Sequence, residues 1–249
     1  MSEATSFVRV FCEHLAAAEQ ETLAGLGEEQ SNRLLNIASD SIDITGAILD
    51  AYPREELNNL VYLAFSGVFK EVSWFHLFFL SGHYALLNAR LRFVWESIYR
   101  ASWAEANAVQ SSAGAALSLD DRAAWLAGKE KGLRWDNCIE PTLRRLFPLA
   151  DREQEVRNFY HNLWDKICEH VHPSQAVTEK LIGPSGLLMC NAFDKDWALE
   201  TLTAATHVFD LAWLAVLQTF PKAADRFDGK TLSVVYPILK LAFDPVPAR

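Results

Sequence analysis

The residues best suited to chemistry sit on two predicted helices, one spanning 152–171 and one spanning 74–107. On the first, His161, Asp165, Cys168, Glu169 and His172 fall within about 100° of arc when each residue turns the helix by its usual 100°. The apolar set Val156, Tyr160, Leu163, Ile167 and Val171 lies on the opposite side. A stripe with two imidazoles and two carboxylates is either a solvated face or a site for acid and base steps near neutral pH. Glu169 and His172 also form a Glu-x-x-His, the spacing by which a carboxylate and an imidazole meet one metal in a helical bundle. A di-metal centre needs a second copy and further glutamates, which the sequence does not supply, so no cofactor is expected and Glu169 with His172 stays as the metal-binding alternative. His170 and His172 would point about 160° apart on a helix and could not share a metal there.

The second helix carries Arg92, Glu96 and Arg100 at intervals of four, so the glutamate can pair with either arginine. Phe93, Val94, Trp95, Ile98 and Tyr99 surround the series, which implies partial burial, where an unpaired charge is costly. Such a set is either an ion-pair ladder or a recognition site for a phosphate or carboxylate. His76, His83 and Arg90, spaced by seven, read as a polar seam against a neighbour.

Apolar positions recurring at three and four residues predict helices over roughly 3–23, 28–51, 54–69, 74–107, 120–131, 138–147, 152–171 and 197–220, with a short amphipathic piece at 232–243. Ser73 is the expected cap of the aromatic-rich helix, 109–119 the internal loop boundary, 183–194 a loop, and 222–249 a C-terminal appendage to one domain over 1–249. Half the residues are apolar, which excludes disorder, and the net charge of −9 opposes coating a nucleic-acid duplex. Basic clusters are small: Lys129, Lys131 and Arg134, then Arg144 and Arg145. Cys12, Cys138, Cys168 and Cys190 show no close pair and read as reduced thiols. No glycine-rich phosphate loop, nucleophile elbow or His-Glu-x-x-His is present. Lys70, Glu71 and His76 interrupt the apolar window 61–80, so it is expected to be a core helix rather than a membrane span. No leader is visible in residues 1–7, and the cytoplasm is the expected compartment.

Two segments together resemble a known family. Phe79 to Ser97, reading FLSGHYALLNARLRFVWES, carries Arg92-x-x-x-Glu96, and Tyr160-His161-Asn162-Leu163-Trp164 leads to Glu169-His170-Val171-His172-Pro173-Ser174. An R-x-x-x-E helix followed by a Y-x-x-L-S-x-x-V-H-P-S helix resembles prokaryotic helical proteins that look distantly like HEPN-type domains. The resemblance implies an up-and-down helical bundle, often dimeric, whose active members are metal-independent RNases of toxin and antiphage systems. Their active motif is an arginine followed by a histidine after four to six intervening residues. Here His161 follows Arg157-Asn158 after only three, and Arg9 with His14 fits the spacing at a frequency chance supplies. His172 occupies the V-H-P position.

The expectation is therefore an all-α, HEPN-like, up-and-down bundle of about eight helices, self-associating and directed at RNA or a nucleotide in a stress or antiphage setting. His172 or His161 would act as acid or base on a 2′-hydroxyl, Arg92 or Arg157 would stabilise the phosphorane, and Glu96 would complete the set. Two alternatives stay open. One is a non-catalytic module whose aromatic-rich surface binds a protein partner; the other is a metal-dependent oxidase using Glu169 and His172.

Overall fold

Spacing of three and four turns apolar residues onto one face of each segment, and the chain answers with helices; no strand occurs among the described residues. The computed structural model describes residues 3–111, 118–129, 133–146, 153–171, 193–225 and 232–239. The elements are α1 (Glu3–Leu26), α2 (Glu28–Ser31), α3 (Arg33–Ala51), a 3-10 turn (Arg54–Leu57), α4 (Leu60–Leu80), α5 (Tyr84–Ser111), α6 (Leu119–Lys129), a π turn (Trp135–Ile139), α7 (Glu140–Leu146), α8 (Glu153–Glu169), α9 (Lys195–Thr219) and α10 (Pro221–Ala224).

Two expected boundaries move, each for a local reason. Residues 54–57 form a 3-10 turn, and α4 starts only at Leu60, because Asn59 is extended and its Oδ1 accepts the Val61 N–H at 2.8 Å. Glu105 reinforces that start by accepting the Leu60 N–H at 2.6 Å. Ser73 caps nothing; α4 runs through it, and the break falls at Ser81-Gly82-His83. Gly82 sits at φ 75°, with Gly82 N–H donating to the Phe79 carbonyl at 3.1 Å and His83 N–H to the Phe78 carbonyl at 2.8 Å. That bond pair closes a helix around a left-handed residue, which glycine adopts without a Cβ clash.

α5 is the axis of the core. Contacts between Leu60 and Glu105 and between Glu71 and Arg90 show that α4 lies antiparallel beside it. α9 packs along the inner side of α5, where the Asn88 Nδ2 donates to Thr201 Oγ1 at 2.9 Å. α8, the π turn and α7 close the remaining flank, and Trp95 on α5 meets Trp135, Tyr160 and Trp164 there edge-to-face at 5.3–6.1 Å. Trp95 and Trp213 are completely buried, and α9 is buried on nearly every side between Val208 and Leu217. By length and composition α4 is apolar enough to cross a bilayer. Its inner face nevertheless fills the core with Val61, Phe65, Val68, Val72, Phe75 and Phe79.

Residues 232–239, inside the stretch read from sequence as an appendage, are tied to this core by two buried aspartates. Asp40 on α3 accepts the Ser233 and Val234 N–H groups at 2.6 and 3.1 Å and the Tyr236 hydroxyl at 2.9 Å. Asp210 on α9 accepts the Ile238 and Leu239 N–H groups at 2.7 and 2.8 Å. Burial raises the Asp210 carboxyl to about 6, against the two N–H bonds that favour its charged form.

Candidate functional site

The polar series on α5 is a ladder, as its spacing of four allows. Arg92 Nε meets Glu96 Oε1 at 3.0 Å, and Arg100 Nη2 lies 3.7 Å from Glu96 Oε2. About a fifth of each side chain is exposed, so the single carboxylate is shared between two largely sheltered guanidiniums. Arg92 also lies over the Trp164 ring, 5.5 Å from its centroid, and Arg100 donates to the Leu133 carbonyl at 3.0 Å. Both arginines thus have structural partners in addition to Glu96. Beside the ladder stand two thiols, Cys138 and Cys168, which burial pushes up to about 12 and about 11. Neither is a thiolate nucleophile near neutral pH.

His161 and Arg157 project one turn apart from α8 toward the π turn and α7. The His161 ring meets Trp135 edge-on at 5.0 Å, and its Nδ1 lies 3.3 Å from Asp165 Oδ2. Arg92, which holds Glu96, and His161 therefore border the same Trp95–Trp135–Trp164 group. Arg157 lies outside it, engaged by Glu140: its Nε is 2.8 Å from Oε1 and its Nη2 is 3.0 Å from Oε2. Arg144 donates to the same carboxylate at 2.9 and 3.0 Å. Glu169 is exposed on the last turn of α8. His172 lies outside the described residues, and with it the Glu169–His172 pair. Among the described residues no group of three or more His, Cys, Asp or Glu side chains is arranged to hold a metal ion.

One cavity was not visible from sequence. α8 and α9 run antiparallel, with a cleft of about 900 Å³ between them that Asn88 of α5 also lines. At one end His207 packs against Phe159 at 4.9 Å and Tyr160 at 6.1 Å; at the other His170 stacks on Trp197 at 5.8 Å. Burial, assisted by Arg33, lowers the His207 pKa below its ordinary value, so the ring is neutral at neutral pH. The polar row on α9 is Asp196, Glu200, Thr203 and His207, spaced 4-3-4. That spacing is a sequence signal, but the apolar majority of α9 hides it.

A second surface feature lies on the outer face of α4 and α5. Leu63, Gly67, Lys70, Trp74 and Leu77 on α4, and Leu86, Arg90, Phe93 and Ser97 on α5, repeat at alternating intervals of four and three, each set within a stripe about 80° wide. Leu63, Trp74, Leu77, Leu86 and Phe93 are each 40–55 % exposed. Arg90 and Glu71 pair between the two stripes at 3.4 Å. Toward α6 this face deepens into a groove of about 620 Å³ bordered by Leu63, Phe93, Leu126 and the Glu96–Arg100 end of the ladder. Comparisons with protein-family models, curated proteins and solved structures find no match to this chain.

Proposed function

We propose that this protein is a non-catalytic helical interaction module that works as a self-associated pair through the outer face of α4 and α5. The observation that carries this reading is the concentration of five large, exposed apolar side chains on two adjacent antiparallel helices, each in a coiled-coil-like 4-3 repeat. Those five side chains alone expose on the order of 500 Å², against about 800 Å² per partner in a standard interface. The small and charged positions between them would supply the remainder. Lys70, Glu71 and Arg90 lie at the middle of the face, so a twofold contact would set acid against base across the axis. HEPN-like, up-and-down organisation and a cytoplasmic setting belong to the same proposal.

Sedimentation velocity on the full chain tests it. A dimer at micromolar concentration is expected, with Trp74→Glu and Phe93→Glu each giving a folded monomer. A wild-type chain that stays monomeric at tens of micromolar, or that instead binds phospholipid vesicles as a monomer, overturns the proposal.

A second reading, RNA cleavage, is favoured by the approach of Arg92 and His161 to one aromatic group. It predicts cleavage of mixed RNA in excess chelator that disappears in His161→Ala and Arg92→Ala. Products of equal yield from all three proteins, or from none, remove it. The satisfied ladder, the Glu140-bound Arg157 and the net charge of −9 weigh toward the interaction module.

A further inference from the structure

The outer face of α4 and α5 carries a register as well as apolar area, and the inference drawn from it rests on the proposed self-association. The two helices run antiparallel, and the Glu71–Arg90 ion pair spans them at 3.4 Å near the middle of the face. A twofold axis through that ion pair, perpendicular to the face, lays α4 of a second copy along α5 and parallel to it. In a parallel contact, residues separated by one constant number along the sequence stay opposite each other. Gly67 and Leu86, Glu71 and Arg90, and Trp74 and Phe93 are each 19 residues apart. That axis therefore sets Trp74 against Phe93, the open backbone of Gly67 against Leu86, and each Glu71 against the Arg90 of the other copy.

Gly67 supplies an independent observation. It is exposed in the interior of α4, and a Cβ added there would meet nothing within 4 Å, so the packing of its own chain does not call for glycine. Glycine weakens a helix interior relative to alanine, and a side chain arriving from a partner gives that opening a use. We infer that the partner on this face is a second copy seated in this register, with Gly67 as the slot for Leu86 and the two Glu71–Arg90 pairs as an alternating ring of four charges about the axis. Offsets of 16 and 23 would also keep the two stripes facing. The first sets Lys70 on Leu86 and the second sets it on Phe93, pressing an ammonium against a large apolar side chain, whereas the offset of 19 sets it opposite the small Ala89.

Sedimentation equilibrium on the full chain, with native mass spectrometry to identify each species, tests the register. Glu71→Lys leaves four basic groups about the axis and Arg90→Glu four acidic ones, so each variant should dimerise at least about tenfold more weakly than the wild type. Mixed in equal amounts, the two should form a heterodimer within about tenfold of the wild-type affinity, because the pairs between copies are again opposite while those within each chain stay alike. Gly67→Leu should weaken the dimer at least about tenfold with its circular dichroism unchanged, and Gly46→Leu, at an equally open glycine on α3, should not. A wild-type chain that stays monomeric at tens of micromolar removes the self-association and the register with it. A wild-type dimer that persists in both charge variants, a mixture that forms no heterodimer, or an association that Gly67→Leu affects no more than Gly46→Leu overturns the register and leaves self-association standing.

Discussion

Replacing Arg157 with alanine should cost stability, because its guanidinium is one arm of a clamp on Glu140. Arg157 contributes two short contacts, 2.8 and 3.0 Å, to a carboxylate that is 9 % exposed. Hydrogen bonds to charged groups contribute about 1.5–3 kcal/mol each when sheltered. Arg157 is itself 38 % exposed, so solvent screening reduces the pair to about 1–2 kcal/mol. Arg144 still holds Glu140 in the variant, which keeps the loss from reaching the cost of a stranded buried charge. Glu140→Ala should cost about 2–3 kcal/mol, since it removes both contacts from guanidiniums that water then solvates. In a chain of 249 residues, 1–2 kcal/mol corresponds to a fall in Tm of about 2–6 °C. Equilibrium urea unfolding of the two single variants and the double variant gives the coupling energy, expected at about 1 kcal/mol. A coupling within about 0.3 kcal/mol of zero would refute the clamp and return Arg157 to the pool of groups free for other work.

Two further outcomes follow from the buried titratable groups. His207 is neutral when folded, so the unfolded chain takes up a proton first as pH falls through 6.5; stability should drop on acidification through that value, and His207→Gln should flatten the drop in urea unfolding between pH 8 and 5.5. His76, also lowered by burial, acts with the same sign, whereas Asp210 acts oppositely: its contribution is complete below 3.8 and is lost as pH rises through about 6. A slope unchanged in His207→Gln would count against a buried neutral ring. Asp40→Ala removes three hydrogen bonds to residues 233–236 and should cost about 3 kcal/mol or more, with faster hydrogen exchange at the Ser233 and Val234 amides than in α5. Unchanged protection there would show that Val234 and Tyr236 packing alone holds the segment.

The helices and their apolar faces were legible because a 3.6-residue period is written in local sequence. The Arg92–Glu96–Arg100 ladder was legible for the same reason, since all three groups sit on one helix. What sequence concealed depends on distant partners. Nothing near Arg157 announces Glu140, 17 residues earlier, and nothing near Asp40 announces Tyr236. Ser73 looked like a cap because Ser is a common capping residue, yet Phe75 and Phe79 need the helix to continue so that both reach the core. The break went instead to Gly82, where a left-handed residue costs little. Asn88 escaped notice because it lies in a helix otherwise read as apolar, and its partner Thr201 is 113 residues away.

The distribution of charge across the fold narrows what each surface can recognise. Arg92 and Arg100 share Glu96, and Arg144 and Arg157 share Glu140, so each of these guanidiniums already has a carboxylate partner, which weakens them as anchors for a phosphate without removing their structural value. Five large exposed apolar side chains stand together on the outer face of α4 and α5. With Arg92, Arg100, Arg144 and Arg157 engaged by internal carboxylates and five large apolar side chains turned outward on α4 and α5, the surface features favour the proposed pairing through that face over a phosphate-directed site.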